Sequence, residues 1–385
     1  MANSFPTVFH SALLFRRAVV ASCVLAGVAV IAGCGASKPK PAKLEDLTPV
    51  RQVSVAWSHR VDSVELPSAL SLVGDTVVAG STDGELVALD RATGKTRWSA
   101  DLDTKLSALV GSDGRFTAVV SRDNELVVLD QGKVTWRERQ SARVSTPPYI
   151  AGERVFVQSV DRQVRAYDAL DGRWLWAYQR AGGEALSLAV PSVLSHYRDT
   201  LLVGQGARLV GLDPLKGSAR FEVNLGTPRG SNEVERLADL IGPAQIQGDD
   251  LCVRAFQLSV GCVNAANGAL RWSRPQAGTQ AVAANADVVV GADSADRITA
   301  WKAANGELIW RVERFTHRAL SAMVIWGDVV AFADDDAYLH LLALDDGRTV
   351  GRFSLDAPLA TAPLVKDGLL FAQTRRGTVY ALRSN

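Results

Sequence analysis

One short unit recurs eight times along the chain at a period of about 40 residues. A legible copy reads Gly74-Asp75-Thr76-Val77-Val78-Ala79, then Asp83-Gly84, then Leu86-Val87-Ala88-Leu89-Asp90, then Gly94 and Trp98. Apolar, β-branched runs broken by Asp-Gly and Thr-Gly predict strand, tight turn, strand, looser turn and a strand ending in tryptophan. One such unit cannot bury its apolar face alone, so the copies share a continuous core, and most enzyme folds are excluded.

The third strand is the easiest to follow: Glu85–Asp90, Glu125–Asp130, Gln163–Asp168, Arg208–Asp213, Ser259–Asn264, Arg297–Lys302, Leu339–Asp345 and Thr378–Arg383. The fourth strand carries an aromatic at Trp98, Trp136, Trp176, Phe221, Trp272, Trp310 and Phe353, which makes seven. The eighth stands at the other end, where Gln52–Trp57 alternates like a strand and ends in tryptophan. The N-terminal strand therefore becomes the outer strand of the last unit, and this closure removes the open edges of a linear array. The expectation is an all-β, eight-bladed β-propeller of four-stranded antiparallel blades. Ala88, Ala166, Ala300, Ala343 and Ala381 read as small positions where neighbouring sheets approach. The tryptophans read as packing between blades.

The first residues lie outside this pattern. Arg16-Arg17 precedes an apolar run over Ala18–Ala32, short for a membrane span and suited to a signal-peptide core. It ends in Ile31-Ala32-Gly33-Cys34, which resembles the bacterial lipobox. The resemblance implies a signal peptide over 1–33 and a covalent diacylglycerol and N-acyl lipid on Cys34. Residues 34–50, with Lys38-Pro39-Lys40-Pro41, then read as a flexible tether, and 51–385 as the propeller. Gly35 after the cysteine implies the outer membrane, on its periplasmic face.

A net charge of +1 with mixed signs argues against nucleic acid. Cys252 and Cys262 lie on the two strands of one hairpin, so they form either a disulfide or a pair of small buried thiols. No motif for catalysis stands out. The unit Ala88–Trp98 resembles the repeats of pyrroloquinoline-quinone dehydrogenases, but the chain has no vicinal cysteine pair. Asp334-Asp335-Asp336 reads as a solvated turn lacking the alternating ligands of a calcium loop. His59, His196, His317 and His340 read as polar surface or rim residues, and no metal site is expected. No cofactor is expected either. A periplasmic quinoprotein enzyme, or a propeller that binds a small molecule, is the alternative reading.

The repeat swells in two neighbouring units, between Trp176 and Phe221 and between Phe221 and Trp272. The extra length falls at Gln179–Pro191 and Leu225–Pro243, both links from an outer strand to the next blade, so the two loops should be adjacent on one rim. They carry Leu186-Ser187-Leu188-Ala189-Val190 and Glu233-Val234-Glu235-Arg236-Leu237-Ala238-Asp239-Leu240-Ile241. Apolar residues flanked by acidic ones on a loop suggest a protein-binding patch.

Lipobox, eight quinoprotein-like units and these two loops together resemble the BamB family, lipoproteins of the outer-membrane β-barrel assembly machinery. The resemblance covers the whole mature chain. It implies a non-enzymatic scaffold that binds a POTRA domain of BamA, sits with the other assembly-complex subunits, and aids insertion of β-barrel proteins. Unfolded outer-membrane proteins are a further class of partner. The contact residues carried over are Leu186 and Leu188 on the first loop, with Ala189 where the family has Arg. On the second they are Glu233, Glu235, Arg236, Leu237 and Asp239, with Ile241 where it has Asp.

Overall fold

The computed structural model describes residue 1 and residues 39–67, 70–181, 187–232 and 234–384. Pro41–Asn385 forms one compact unit. Its strands make eight four-stranded antiparallel sheets, seven of them simple meanders. Blade 1 comprises Ser71–Val73, Thr76–Gly80, Glu85–Asp90 and Thr96–Asp101. Blade 8 is the exception, ordered Leu364–Lys366, Leu369–Gln373, Thr378–Ser384 and then Val53–Arg60. The N-terminal strand is thus its outer strand, with Trp57 opposite Ala381.

A meander sets two faces. Links between blades and the hairpin turns joining second to third strands lie on one, called here the linker face. The remaining turns lie on the other. Second and third strands are buried on both sides, so they read as unbroken apolar runs; Val77, Ala79, Val87 and Leu89 pack on Phe371 and Ala381 of blade 8.

Neighbouring blades are joined by a recurring device. Trp57 lies against the last turn of blade 1 and donates its indole N–H to the Arg91 carbonyl at 2.9 Å. Gly94 in that turn has φ +70°, and a Cβ there would sit 2.7 Å from the Trp57 ring, so glycine is required twice over. Trp136, Trp176, Trp272 and Trp310 donate in the same way to Ala169, Pro214, Ala303 and Leu344 of the following blade. Phe221 packs on Gly268 without a hydrogen bond to give.

Blade 7 corrects the sequence register. The strand bulge and Gly347 align Gly351, not Phe353, with the tryptophan position, and Leu341, not Ala343, with the small one. Blade 8 has no last turn to receive a ring, because its outer strand comes from the N-terminus. Gly351 instead admits the incoming chain: a Cβ there would lie 2.7 Å from the Arg51 carbonyl, and the Val50 and Arg51 N–H groups both reach the Val350 carbonyl at 2.9 Å.

Part of the segment expected as a tether is described. Residues 42–51 lie as a strap on blades 6 and 7. Ala42 donates to the Thr316 carbonyl at 2.9 Å and accepts from Arg318 at 2.8 Å. Ala42 and Leu44 are half-buried while Pro41, Lys43 and Glu45 are exposed, the alternation of an extended segment. Leu44 packs on the apolar cluster between the two blades, Arg352 donates to the Glu45 carbonyl at 3.2 Å, and Arg51 pairs with Asp328. Cys34 and the signal-peptide segment lie outside the described residues.

Candidate functional site

The first long loop leaves the outer strand of blade 3, Trp174–Tyr178, and ends at the first strand of blade 4, Leu194–Tyr197. The second leaves the outer strand of blade 4, Ala219–Asn224, and ends in the first strand of blade 5, Leu240–Gln247. They meet side by side on the linker face. Ser192 bridges to Ile241, and its hydroxyl donates to the Leu240 carbonyl at 3.0 Å. Gly242 donates to the Pro191 carbonyl at 3.0 Å.

Asp239 fastens this junction. It is only 6% exposed. One carboxylate oxygen accepts the Leu188 N–H at 2.6 Å, and the other accepts from the Arg162 guanidinium at 2.8 Å. Arg162 is itself buried, in a blade 3 hairpin turn. Ser187 donates to the Val160 carbonyl of the same turn at 2.6 Å. The Asp239 side chain therefore joins two loops and a turn, and is not presented to solvent.

The second loop rises to a tip built on itself. Glu235 accepts from the Ser231 N–H at 2.7 Å and hydroxyl at 2.9 Å, and Asn232 supplies another donor at 3.0 Å. These bonds, the Ser231 N–H foremost, hold the Glu235 carboxyl below its ordinary range. Its charge is thus spent on shaping the loop. Val234 stands out at 67% exposed, with Arg236 exposed beside it and Leu237 half-buried below. Leu188 is half-buried and, with Val190 and Phe256, packs around Ile241, Ala281 and Ala322. Ile241 is therefore an apolar support of this loop pair. Leu186 and Glu233 lie outside the described residues. Arg162 and Val234 escaped assignment from sequence: the first is remote in the chain, and the exposure of the second is set by the fold of its loop.

A second buried carboxylate sits on the same face at blade 7, against expectation. Asp334 and His340 are both buried, so the first is no solvated turn residue and the second no rim residue. Asp334 accepts from His340 Nε2 at 2.9 Å and Arg318 at 2.8 Å, and from the N–H groups of Asp336 and Tyr338. Burial works against the Asp334 charge, but the bonds from His340, Tyr338 and Arg318 outweigh it and lower its pKa. Burial lowers the His340 pKa despite the aspartate beside it. Arg318 is the same residue that binds the strap at Ala42.

Cys252 lies directly opposite Cys262, Cα atoms 4.1 Å apart, and the two sulfurs are bonded. Along the propeller axis runs a cavity of about 1060 Å³, lined by first strands and their approaches from all eight blades, with Tyr149, Ser195 and Gln280 among its polar groups. Among the described residues no group of His, Cys, Asp or Glu is arranged to hold a metal ion.

The family model for outer membrane protein assembly factor BamB matches residues 50–105, 82–312 and 303–385. The chain belongs to the BamB family. It is 30% identical to BamB of Bordetella pertussis over 96% of this chain and 98% of that one. It is 31% identical to BamB of Burkholderia pseudomallei over 96% and 99%. In fold it resembles the crystal structure of BamB from Moraxella catarrhalis, with a TM-score of 0.76, 21% identity and 86% of this chain covered against all of that one. It also resembles a quinohemoprotein alcohol dehydrogenase from Comamonas testosteroni, with a TM-score of 0.65 and 13% identity, covering 88% and 78%; that likeness is one of fold alone. The chain is an outer-membrane protein assembly factor with PQQ-like repeats, and not an enzyme.

Proposed function

We propose that this BamB-family propeller is a lipid-anchored scaffold on the periplasmic face of the outer membrane that docks on a POTRA domain of BamA through its two long loops. The observation that carries the reading is the clasped loop pair. Two adjacent loops that break the repeat are fixed to each other through Asp239 and present an exposed Val234 and Arg236. A preorganised loop loses little entropy on binding, and an exposed apolar side chain beside an arginine, the one charged residue enriched at interfaces, suits a contact surface. Lipid on Cys34 would hold the protein at the membrane where BamA and the other subunits reside. Docking would then position the POTRA domains for insertion of β-barrel proteins.

The test is affinity purification from detergent-solubilised outer membranes. Val234→Asp combined with Arg236→Glu should remove BamA from the purified material, because truncating an interface anchor costs about 2 kcal/mol or more. The thermal melt should be unchanged, since both side chains are exposed. Lys133→Glu, in a blade 2 turn on the opposite face, should retain BamA. Equal loss from that control, or full retention by the loop variant, would move the contact elsewhere. Intact mass of the mature protein, showing added acyl chains that Cys34→Ala lacks, tests the anchor.

A further inference from the structure

The strap decides on which face the preceding chain leaves the propeller. In every blade the outer strand runs from the opposite face to the linker face. On blade 7 that strand is Thr349–Ser354, so Val350 stands towards the opposite face and the 313–323 link stands on the linker face. The closing strand Val53–Arg60 runs the same way, and the chain enters it from the opposite face. The strap runs against this direction. Ala42 is bonded to Thr316 and Arg318 on the linker face, Glu45 meets Arg352 partway along the edge, and Val50 and Arg51 reach Val350.

The segment is fastened along its length and not at one end. Leu44 packs on the apolar cluster of blades 6 and 7, the Glu45 carboxylate lies 3.6 Å from Arg314, and Arg51 pairs with Asp328. Cys34 precedes Ala42 by eight residues, a reach of at most about 29 Å when fully extended. With the strap undocked, the free chain would run nineteen residues from Cys34 to Val53, a reach of at most about 68 Å, and would depart from the opposite face. We infer that the strap is a leash that turns the linker face towards the membrane. It brings the lipid-bearing end out beside the 313–323 link and holds the blade 6–7 sector of that face within a short tether of the bilayer. The two docking loops rise from the same face, so they are held on the membrane side of the propeller. The inference rests on the Cys34 anchor of the proposed function and adds an orientation that an anchor alone does not impose, since a long free tether lets either face approach.

The experiment uses the acylated mature protein, checked by intact mass, in vesicles of phosphatidylethanolamine and phosphatidylglycerol with an energy-acceptor dye on the headgroups. A donor dye is placed on Glu313→Cys, at the linker-face end of blade 6, or on Asp345→Cys, in a turn on the opposite face of blade 7; both positions are exposed. Cys252 and Cys262 are bonded to each other, which leaves the added thiol to take the dye. A strand length of about 20 Å separates the faces, so transfer from position 313 should exceed that from 345 at least about twofold. Replacing 42–49 with glycine and serine at equal length should bring the two values together, while the protein stays on the vesicles and the propeller still melts cooperatively. Equal transfer from both positions in the wild-type chain, greater transfer from 345, or an undiminished difference in the glycine–serine variant overturns the inference. Protein that carries no acyl chain and stays off the vesicles fails the anchor reading too, and is thereby told apart from acylated protein that binds in the wrong orientation.

Discussion

Two buried aspartates on the linker face each hold down a different piece of chain, and they do it with different chemistry. Asp239 uses a guanidinium and a backbone N–H to join loops between blades 3, 4 and 5. Asp334 takes a guanidinium, an imidazole and two backbone N–H groups, and through Arg318 it holds the strap on blade 7. The first lies at the root of two long loops that link blades. The second lies inside a blade, among the Phe315 and Phe332 rings. A similar acid–arginine pair therefore serves local organisation in one place and global stability in the other.

The comparison breaks most readily at Asp334. Asp334→Ala leaves His340 and Arg318 without their shared acceptor, though Arg318 keeps Asp336, a loss expected to cost about 3 kcal/mol in urea unfolding. Asp239→Ala should cost less globally, about 1–2 kcal/mol, because its loops can reach water by opening. Its mark should be faster amide exchange at 187–190 and 234–239, together with weakened BamA recovery. Equal global losses from both variants would erase the distinction.

Acid should separate the two further. The folded His340 resists protonation, so its pKa lies below the ordinary value near 6.5. The unfolded chain then binds more protons than the folded one as pH falls through that value, and stability is lost on acidification. Above about 6.5 the contribution is fully present; below it the decline is at most about 1.4 kcal/mol per pH unit, until the folded group also protonates. Asp334 is depressed as well, so it adds a loss in the same direction at lower pH. His340→Asn should flatten the stability profile on the acid side of about pH 6.5, whereas Asp239→Ala leaves the His340 contribution in place. The smallest effect is expected at the strap. Leu44→Ser should remove about 1 kcal/mol of apolar burial and make residues 41–50 cleavable by trypsin at Lys43, with the propeller itself left intact.

These pairs also show what a sequence discloses. The blades were legible because a recurring Gly and aromatic mark most last turns and rings, and because second and third strands are largely apolar. Blade 7 was misread because Phe353 is the conspicuous aromatic there, while the turn glycine Gly347 sets the true register at Gly351. His340 sits inside the run Leu339–Ala343, where every residue is buried, and that setting was the available sign of its burial. The strap was hidden by its own composition, since proline and lysine around Ala42 and Leu44 resemble a linker. Adjacency of the two loops followed from counting residues. Their clasp did not, because Arg162 and Asp239 lie 77 positions apart and only the folded ring brings them together.

The last blade has a consequence for biogenesis. Val53 and Ser384, at opposite extremes of the propeller, are direct neighbours in one sheet. A ribosome releases Val53–Arg60 long before its hydrogen-bonding mate, Thr378–Ser384. Until then that strand has no ladder partner and Trp57 has no sheet to pack in. Ring closure is thus a built-in completeness check: a chain lacking Thr378–Ser384 cannot seal, and the last blade is left with open strand edges.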